Sequence, residues 1–171
     1  MDDPNQLLAG RSRETTIARD AQGRWSQDGQ ALEHPNLTRA FDRWVGRAED
    51  GRYCLKNDIN WAYISLEGAP FFVRSVRIDR GSGKADVTLV LSNDTEQPLR
   101  PATLRNGPDG ALYCDLNDGM VARFDRSAMA QLEAVIGEDA QGVYLEIGGS
   151  RIRPKASANP LEPSRTTTGP S

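Results

Sequence analysis

Apolar and polar positions alternate over short stretches along most of this chain, and only two windows carry a helical period. Thr15 to Arg19 and Arg24 to Ser26 read as a strand pair about the turn Asp20-Ala21-Gln22-Gly23. After a second tight turn at Asp28-Gly29, Pro35 stands where a first helical residue belongs. Leu37, Phe41, Trp44 and Val45 then recur at i, i+4, i+7 and i+8, which predicts an amphipathic helix stopping near Gly46. Arg52 to Lys56 and Asn60 to Leu66 read as strands, and Ala69-Pro70 breaks the pattern before Phe71 to Asp79. Gly81-Ser82-Gly83 turns that strand into Lys84 to Ser92, where Val87, Leu89 and Leu91 share one face. Leu112 to Leu116 and Met120 to Phe124 flank the turn Asn117-Asp118-Gly119. Asp125 is placed to cap a second helix whose buried stripe is Met129, Leu132, Val135 and Ile136, with Gly137 as its stop. Val143 to Ile147 and Ser150 to Arg153 form a last hairpin about Gly148-Gly149.

The predicted fold class is α+β, built from two similar β-rich repeats, each with one amphipathic helix packed on antiparallel strands. Its expected divisions are a flexible leader over 1–13, an N-terminal repeat over 14–92, a Pro- and Gly-bearing connection over 93–110, a C-terminal repeat over 111–153 and a disordered tail over 154–171. The repeat rests on spacing. Asp28 and Asp118 are 90 residues apart, while Gly46 and Gly137, and Tyr53 and Tyr144, are each 91 apart. The same shift carries Phe41 onto Leu132, Trp44 onto Val135 and Val45 onto Ile136. Two lobes meeting across a seam leave a crevice, so the junction of the repeats is the first expected place for a ligand.

With 171 residues the chain is of single-domain size, and its net charge of −3 is too small to hold it open by self-repulsion. A pI of about 5.2 lacks the basic excess of a general nucleic-acid binder. No apolar run approaches membrane-spanning length and the acidic N-terminus has no signal-peptide core, so a cytoplasmic protein without a membrane partner is expected. Cys54 and Cys114 each follow a tyrosine in a predicted strand. Buried, reduced thiols are the ordinary reading of such a pair; a redox-sensing pair is the alternative.

Familiar catalytic carriers are absent. His34 is the one histidine, it precedes Pro35 at a helix start, and no Cys-x-x-Cys exists, so no zinc site or Cys-His pair of usual spacing can be assembled. Gly81-Ser82-Gly83-Lys84 fails as a phosphate loop, because Ile78 and Ala85 stand where Gly and Ser or Thr belong. Glu49-Asp50 and Glu138-Asp139 lie beside turns in both repeats and read as solvated loops. Neither enzyme activity, cofactor nor metal is expected.

Two polar clusters could hold a ligand. Asn57, Asp58 and Asn60, with Trp61, offer hydrogen bonds and a stacking face that suit a planar polar molecule such as a nucleobase; a hairpin turn with Asx bonds and a core tryptophan is the plainer alternative. Arg123 and Arg126 flank Asp125 at the start of the second helix and could grip phosphate or carboxylate, or else pair with surface acids.

Asp28 to Leu37, Asp50 to Leu55, Leu66 to Phe71 and Gly119 to Arg126, in that order and spacing, resemble the bacterial domain of unknown function 1285 family over about residues 14–153. The resemblance implies a duplicated α+β core whose C-terminal half is pleckstrin-homology-like. It also implies a site for a nucleotide-like ligand at the junction of the halves, and a role in signal transduction. Arg123 and Arg126 fall on the family's arginine-rich helix start. The chain departs at Asn57-Asp58-Ile59-Asn60, where family members tend to carry a Pro and a Glu. The expectation is therefore a binding module for a small anionic or nucleotide-like molecule, held by Arg123 and Arg126 with Trp61 and Asn60 opposite. A protein-interaction adaptor with a protein partner and no small ligand is the alternative.

Overall fold

The computed structural model describes residues 13–163 and divides the chain into two compact units. Of the described residues, one unit holds those up to Phe71 together with Ser92–Asp94; the other holds Phe72–Leu91 and those from Thr95 onward.

In the first unit β1 (Ala18–Arg19), β2 (Trp25–Gln27) and β3 (Gln30–Ala31) form an antiparallel meander. The β2–β3 turn needs two left-handed residues, and Asp28 (φ 52°) and Gly29 (φ 76°) supply them. Helix α1 (Pro35–Trp44) follows, then a second meander of β4 (Val45–Arg47), β5 (Tyr53–Lys56) and β6 (Trp61–Tyr63). Finally β7 (Ser65–Leu66) returns to pair in parallel with β1. Pro35 starts the helix, and His34 before it makes no side-chain cap. Leu37 and Phe41 bury against Ile17, Trp25, Leu55 and Ile64, each such side chain stabilising the unit by about 1.5–3 kcal/mol. Inside this core lies Arg19, whose Nη1 donates to Asp42 at 3.0 Å and whose Nη2 donates to the carbonyls of Ala69 and Pro70 at 2.8 and 2.7 Å. The indole N–H of Trp25 donates to the same Asp42 oxygen at 2.9 Å.

The second unit contains β8 (Phe71–Asp79) from its second residue on, β9 (Asp86–Leu91) and β10 (Glu96–Pro98), then a 3-10 turn at Pro101–Thr103. After it come β11 (Arg105–Asn106), β12 (Leu112–Asp115) and β13 (Val121–Phe124). Helix α2 (Arg126–Leu132) runs through a 3-10 turn into β14 (Ile136–Asp139), β15 (Gly142–Ile147) and β16 (Ser150–Ile152), and β17 (Lys155–Ala156) pairs in parallel with β11. One sheet runs β10-β9-β8-β13-β12-β11-β17, and β14-β15-β16 form a separate meander. Helix α2 is tied to β8 by the Ser127 hydroxyl, which donates to the Arg74 carbonyl at 2.6 Å, and by the Gln131 carboxamide, which accepts the Val76 N–H at 2.7 Å.

The two halves are similar and β-sheet-rich, each with one helix on antiparallel strands, and the chain is internally duplicated. Meander, helix, meander and parallel return strand recur in the same order, so that β1-β2-β3-α1-β4-β5-β6-β7 corresponds to β11-β12-β13-α2-β14-β15-β16-β17. The buried arginine recurs too. Arg105 on β11 pairs with Asp115 at 3.0 Å and donates to the carbonyls of Thr103, Pro160 and Glu162.

Several expected features differ. Strands β8 and β9 belong with the second unit rather than with an N-terminal repeat over 14–92. The stretch 93–110 is not a plain connection, because β10 and β11 lie within it, paired to β9 and β12. The tail expected to be disordered from Pro154 is ordered across its described part: β17 pairs with β11, Pro160 is buried, and Arg105 gathers the carbonyls of Pro160 and Glu162. Residues 164–171, and 1–12 of the expected leader, lie outside the described residues. Ile136 is not in the α2 stripe; it opens β14 and is 43% exposed. Asp125 holds the N-cap position without a side-chain cap, because its carboxylate is drawn to Arg74 at 2.9 Å. No helix among the described residues is long and apolar enough to cross a membrane.

Candidate functional site

The β4-β5-β6 meander has one face in the core of the first unit and one face out. Val45, Tyr53, Leu55, Ala62 and Ile64 turn inward. Period-2 alternation then puts Cys54, Lys56, Trp61 and Tyr63 on the other side. Together with Arg47, Ala48, Glu49 and Asp50 they line a cavity of about 460 Å³, within the size range of small-molecule sites. Lys56 faces Trp61 directly across the ladder, and Cys54 faces Tyr63. The Trp61 and Tyr63 rings meet edge to face at 5.1 Å.

Charges brace the aromatic pair. The Arg13 guanidinium lies 4.8 Å over the Trp61 ring and donates to the Trp61 carbonyl at 2.7 Å. Arg52 lies 3.6 Å over Tyr63 and grips Glu14 with both terminal nitrogens, at 2.7 and 2.8 Å. The Tyr63 hydroxyl donates to Asp50 at 2.7 Å. That hydrogen bond raises the Tyr63 pKa and lowers that of Asp50, so around neutral pH the phenol stays a donor and the carboxylate stays ionised. Lys56 makes no ion pair among the described residues. The wall thus combines two rings, two cations in Arg47 and Lys56, and two carboxylates in Glu49 and Asp50.

The duplicated frame supplies a comparison. In the first meander Gly46 pairs with Cys54; in the second Gly137 pairs with Tyr144, because the span between the partners is one residue shorter. A slip of one residue sends a side chain to the opposite face. Tyr53 and Tyr144, matched by the 91-residue sequence shift, therefore lie on opposite faces. Tyr144 covers Gly137 so closely that an added Cβ there would sit 2.5 Å from the ring, whereas nothing lies within 4 Å of a Cβ on Gly46. The space left open in the first repeat is largely filled in the second, where a cavity of about 190 Å³ remains beside Tyr144 and Glu146.

Of the residues singled out from sequence, Trp61 lines the cavity. Asn57, Asp58 and Asn60 form the β5–β6 turn instead. The Asn57 carboxamide oxygen accepts the N–H groups of Ile59 and Asn60, both at 2.8 Å, and the Asn57 N–H donates to the Asn60 carbonyl at 3.0 Å. Asp58 is exposed at the turn's tip. Arg123 and Arg126 belong to the second unit. Arg123 donates to Asp109 at 3.3 Å, and Arg126 is the exposed first residue of a seven-residue helix. Asp50, which the sequence presents as part of a solvated loop, joins the cavity wall, and so do Arg47, Lys56 and Tyr63, which nothing in the sequence reading singles out, although Cys54-x-Lys56 and Trp61-x-Tyr63, read as two strands of one hairpin, put four chemical groups on one face.

Both cysteines are free and buried. Burial raises the Cys54 pKa, and pushes that of Cys114 up from 9.0 to about 12. Thiols held in this state are poor nucleophiles. Native protein at pH 8 is expected to leave Cys114 unalkylated by iodoacetamide over hours, with rapid reaction in urea; mass spectrometry of the adducts checks it. Because the folded-state pKa is raised, the contribution of this thiol to stability is complete below pH 9 and is lost as the pH climbs from there toward 12. Among the described residues no group of three or more His, Cys, Asp or Glu could hold a metal ion.

The fold has a solved counterpart. The chain is similar to the crystal structure of a DUF1285 family protein from Silicibacter pomeroyi DSS-3, with a TM-score of 0.60 and 18% identity over 87% of this chain and 85% of that one. A DUF1285 family protein from Shewanella baltica OS155 aligns with a TM-score of 0.46 and 19% identity over 67% of this chain and 87% of that one. No protein-family model matches the chain, and no curated protein matches it. The first of these likenesses establishes a shared fold.

Proposed function

We propose that the chain is a binding module for a small, planar, anion-bearing molecule of nucleotide-like character, held on the outer face of β4-β5-β6, and that it acts in signalling rather than in catalysis. The observation that carries the reading is the open, ligand-sized cavity of the first repeat, set against the tyrosine-filled counterpart in the second. Trp61 and Tyr63 offer surface for a flat ring, Lys56 and Arg47 offer charge to its anionic group, and Asp50 and Glu49 accept from amine or hydroxyl donors. The protonated thiol of Cys54 and the hydrogen-bonded Tyr63–Asp50 pair supply polarity without a nucleophile.

A thermal-shift panel of nucleoside mono- and diphosphates tests this. At a hundredfold excess over Kd a ligand adds ~2.7 kcal/mol, which for a chain of this size raises Tm by about 5–10 °C. Trp61→Ala is expected to remove the shift, and Lys56→Ala to weaken binding about tenfold through loss of a charge-assisted contact. Flat melting curves across the panel would overturn the nucleotide-like assignment.

A further inference from the structure

We propose that the second repeat carries an anion site of its own, taking a phosphomonoester or free phosphate in the cavity between the Pro101–Thr103 turn and the β16–β17 segment. The cavity measures about 460 Å³; Arg105, Arg151, Arg153 and Lys155 line it, together with Thr103 and Ser157, and no carboxylate does. Arg105 builds the wall, since Asp115 and three carbonyls occupy its guanidinium. The binding groups are the other three cations.

Arg151 and Arg153 share one counter-ion, Asp139, which accepts from Arg151 at 2.9 Å and from Nη2 of Arg153. Both guanidinium groups also lie over the Tyr144 ring, at 4.6 and 5.3 Å, which keeps them side by side. Two guanidinium groups on one carboxylate leave one positive charge. Lys155, without an ion pair among the described residues, adds a second. Glu146, across the ladder from Arg151, offsets part of this charge, and a phosphomonoester, at about −1.5 to −2 near neutral pH, supplies the opposite sign to the remainder. Nη1 of Arg153 is shielded from water and meets no acceptor among the described residues. A charged donor in that condition favours any oxygen that a small rotation of the guanidinium can reach.

The duplication points the same way. Lys56 faces Trp61 in the first meander where Glu146 faces Arg151 in the second, and two residues on, Tyr63 answers to Arg153. One frame thus presents a pair of rings in the first repeat and a pair of planar cations in the second. Arginine is the side chain suited to forked recognition of phosphate.

The test is calorimetric titration of the full chain with inorganic phosphate and, separately, with glycerol 3-phosphate, at ionic strength held constant with chloride. Heat of binding with either probe supports the site, and the tighter probe tells a free anion from an esterified one. Lys155→Gln, at an exposed position that cannot endanger folding, should weaken binding about tenfold, and Arg153→Gln at least as much. Asp139→Asn removes the competing carboxylate and should tighten binding about fivefold, the reverse of what a purely structural arginine–aspartate cluster would give. Trp61→Ala should leave phosphate binding unchanged, which separates this site from the cavity of the first repeat. No heat with either probe, equal affinity in Lys155→Gln, or weaker binding in Asp139→Asn would overturn the proposal.

Discussion

Arg19→Met is expected to lower the stability of the protein by about 3–5 kcal/mol, the cost of removing one partner from a buried ion pair. Arg19 is 1% exposed, so its loss leaves the Asp42 carboxylate in the core with the Trp25 N–H still donating to it, and strands the carbonyls of Ala69 and Pro70 without their donor. A urea melt measures the effect. The double variant Arg19→Met/Asp42→Leu should recover a large part of the loss, because an apolar pair of similar volume carries no orphaned charge. A single variant costing less than about 1 kcal/mol would mean that solvent reaches the pair and that the arginine is not a structural centre.

The second large effect belongs to the C-terminal segment. A chain ended at Pro154 should lose about 3–5 kcal/mol, because it strips Arg105 of two of its carbonyl acceptors and removes the strand beside β11. Pro160 also packs against Gly107, where an added Cβ would come within 3.0 Å of its ring. Urea denaturation followed by far-ultraviolet circular dichroism reads this loss. A truncated chain as stable as the full one would restore the plain expectation of a passive tail.

Both effects concern features that the sequence hides, and the reason is physical. Arginine is a surface residue by ordinary expectation, and nothing local marks Arg19 or Arg105 as interior; besides the nearer Asp42 and Asp115, the carbonyls of Ala69, Pro70 and Pro160 that hold them come from segments about 50 residues away. The strands β3, β4, β10, β11, β14 and β17 are hidden for another reason. At two to four residues they carry too little alternation to be seen; five of them exist by pairing with the neighbouring strand of a hairpin, and β17 by pairing with the distant β11. By contrast α1 and the β8–β9 hairpin were legible, since their apolar periods run over whole elements.

The duplication was visible through its turns and helices. The match of Tyr53 to Tyr144 nevertheless misled by one residue, and that residue decides which face is open. Trp61 was legible as a candidate stacking face, and it lines the cavity. Lys56 and Tyr63 were not, because the amide-rich turn between the strands drew attention to Asn57, Asp58 and Asn60, whose hydrogen bonds close the hairpin.

The most direct measurement is an amide proton–nitrogen correlation spectrum of the labelled full chain, titrated with the nucleotide that gives the largest thermal shift. The expected result is a saturable set of shifts concentrated between Arg47 and Tyr63, with the Trp61 indole signal among the strongest, and its disappearance in Trp61→Ala. Saturable shifts lying elsewhere on the molecule, or a spectrum unchanged at millimolar ligand, would contradict the placement of the binding site on the open face of the first repeat.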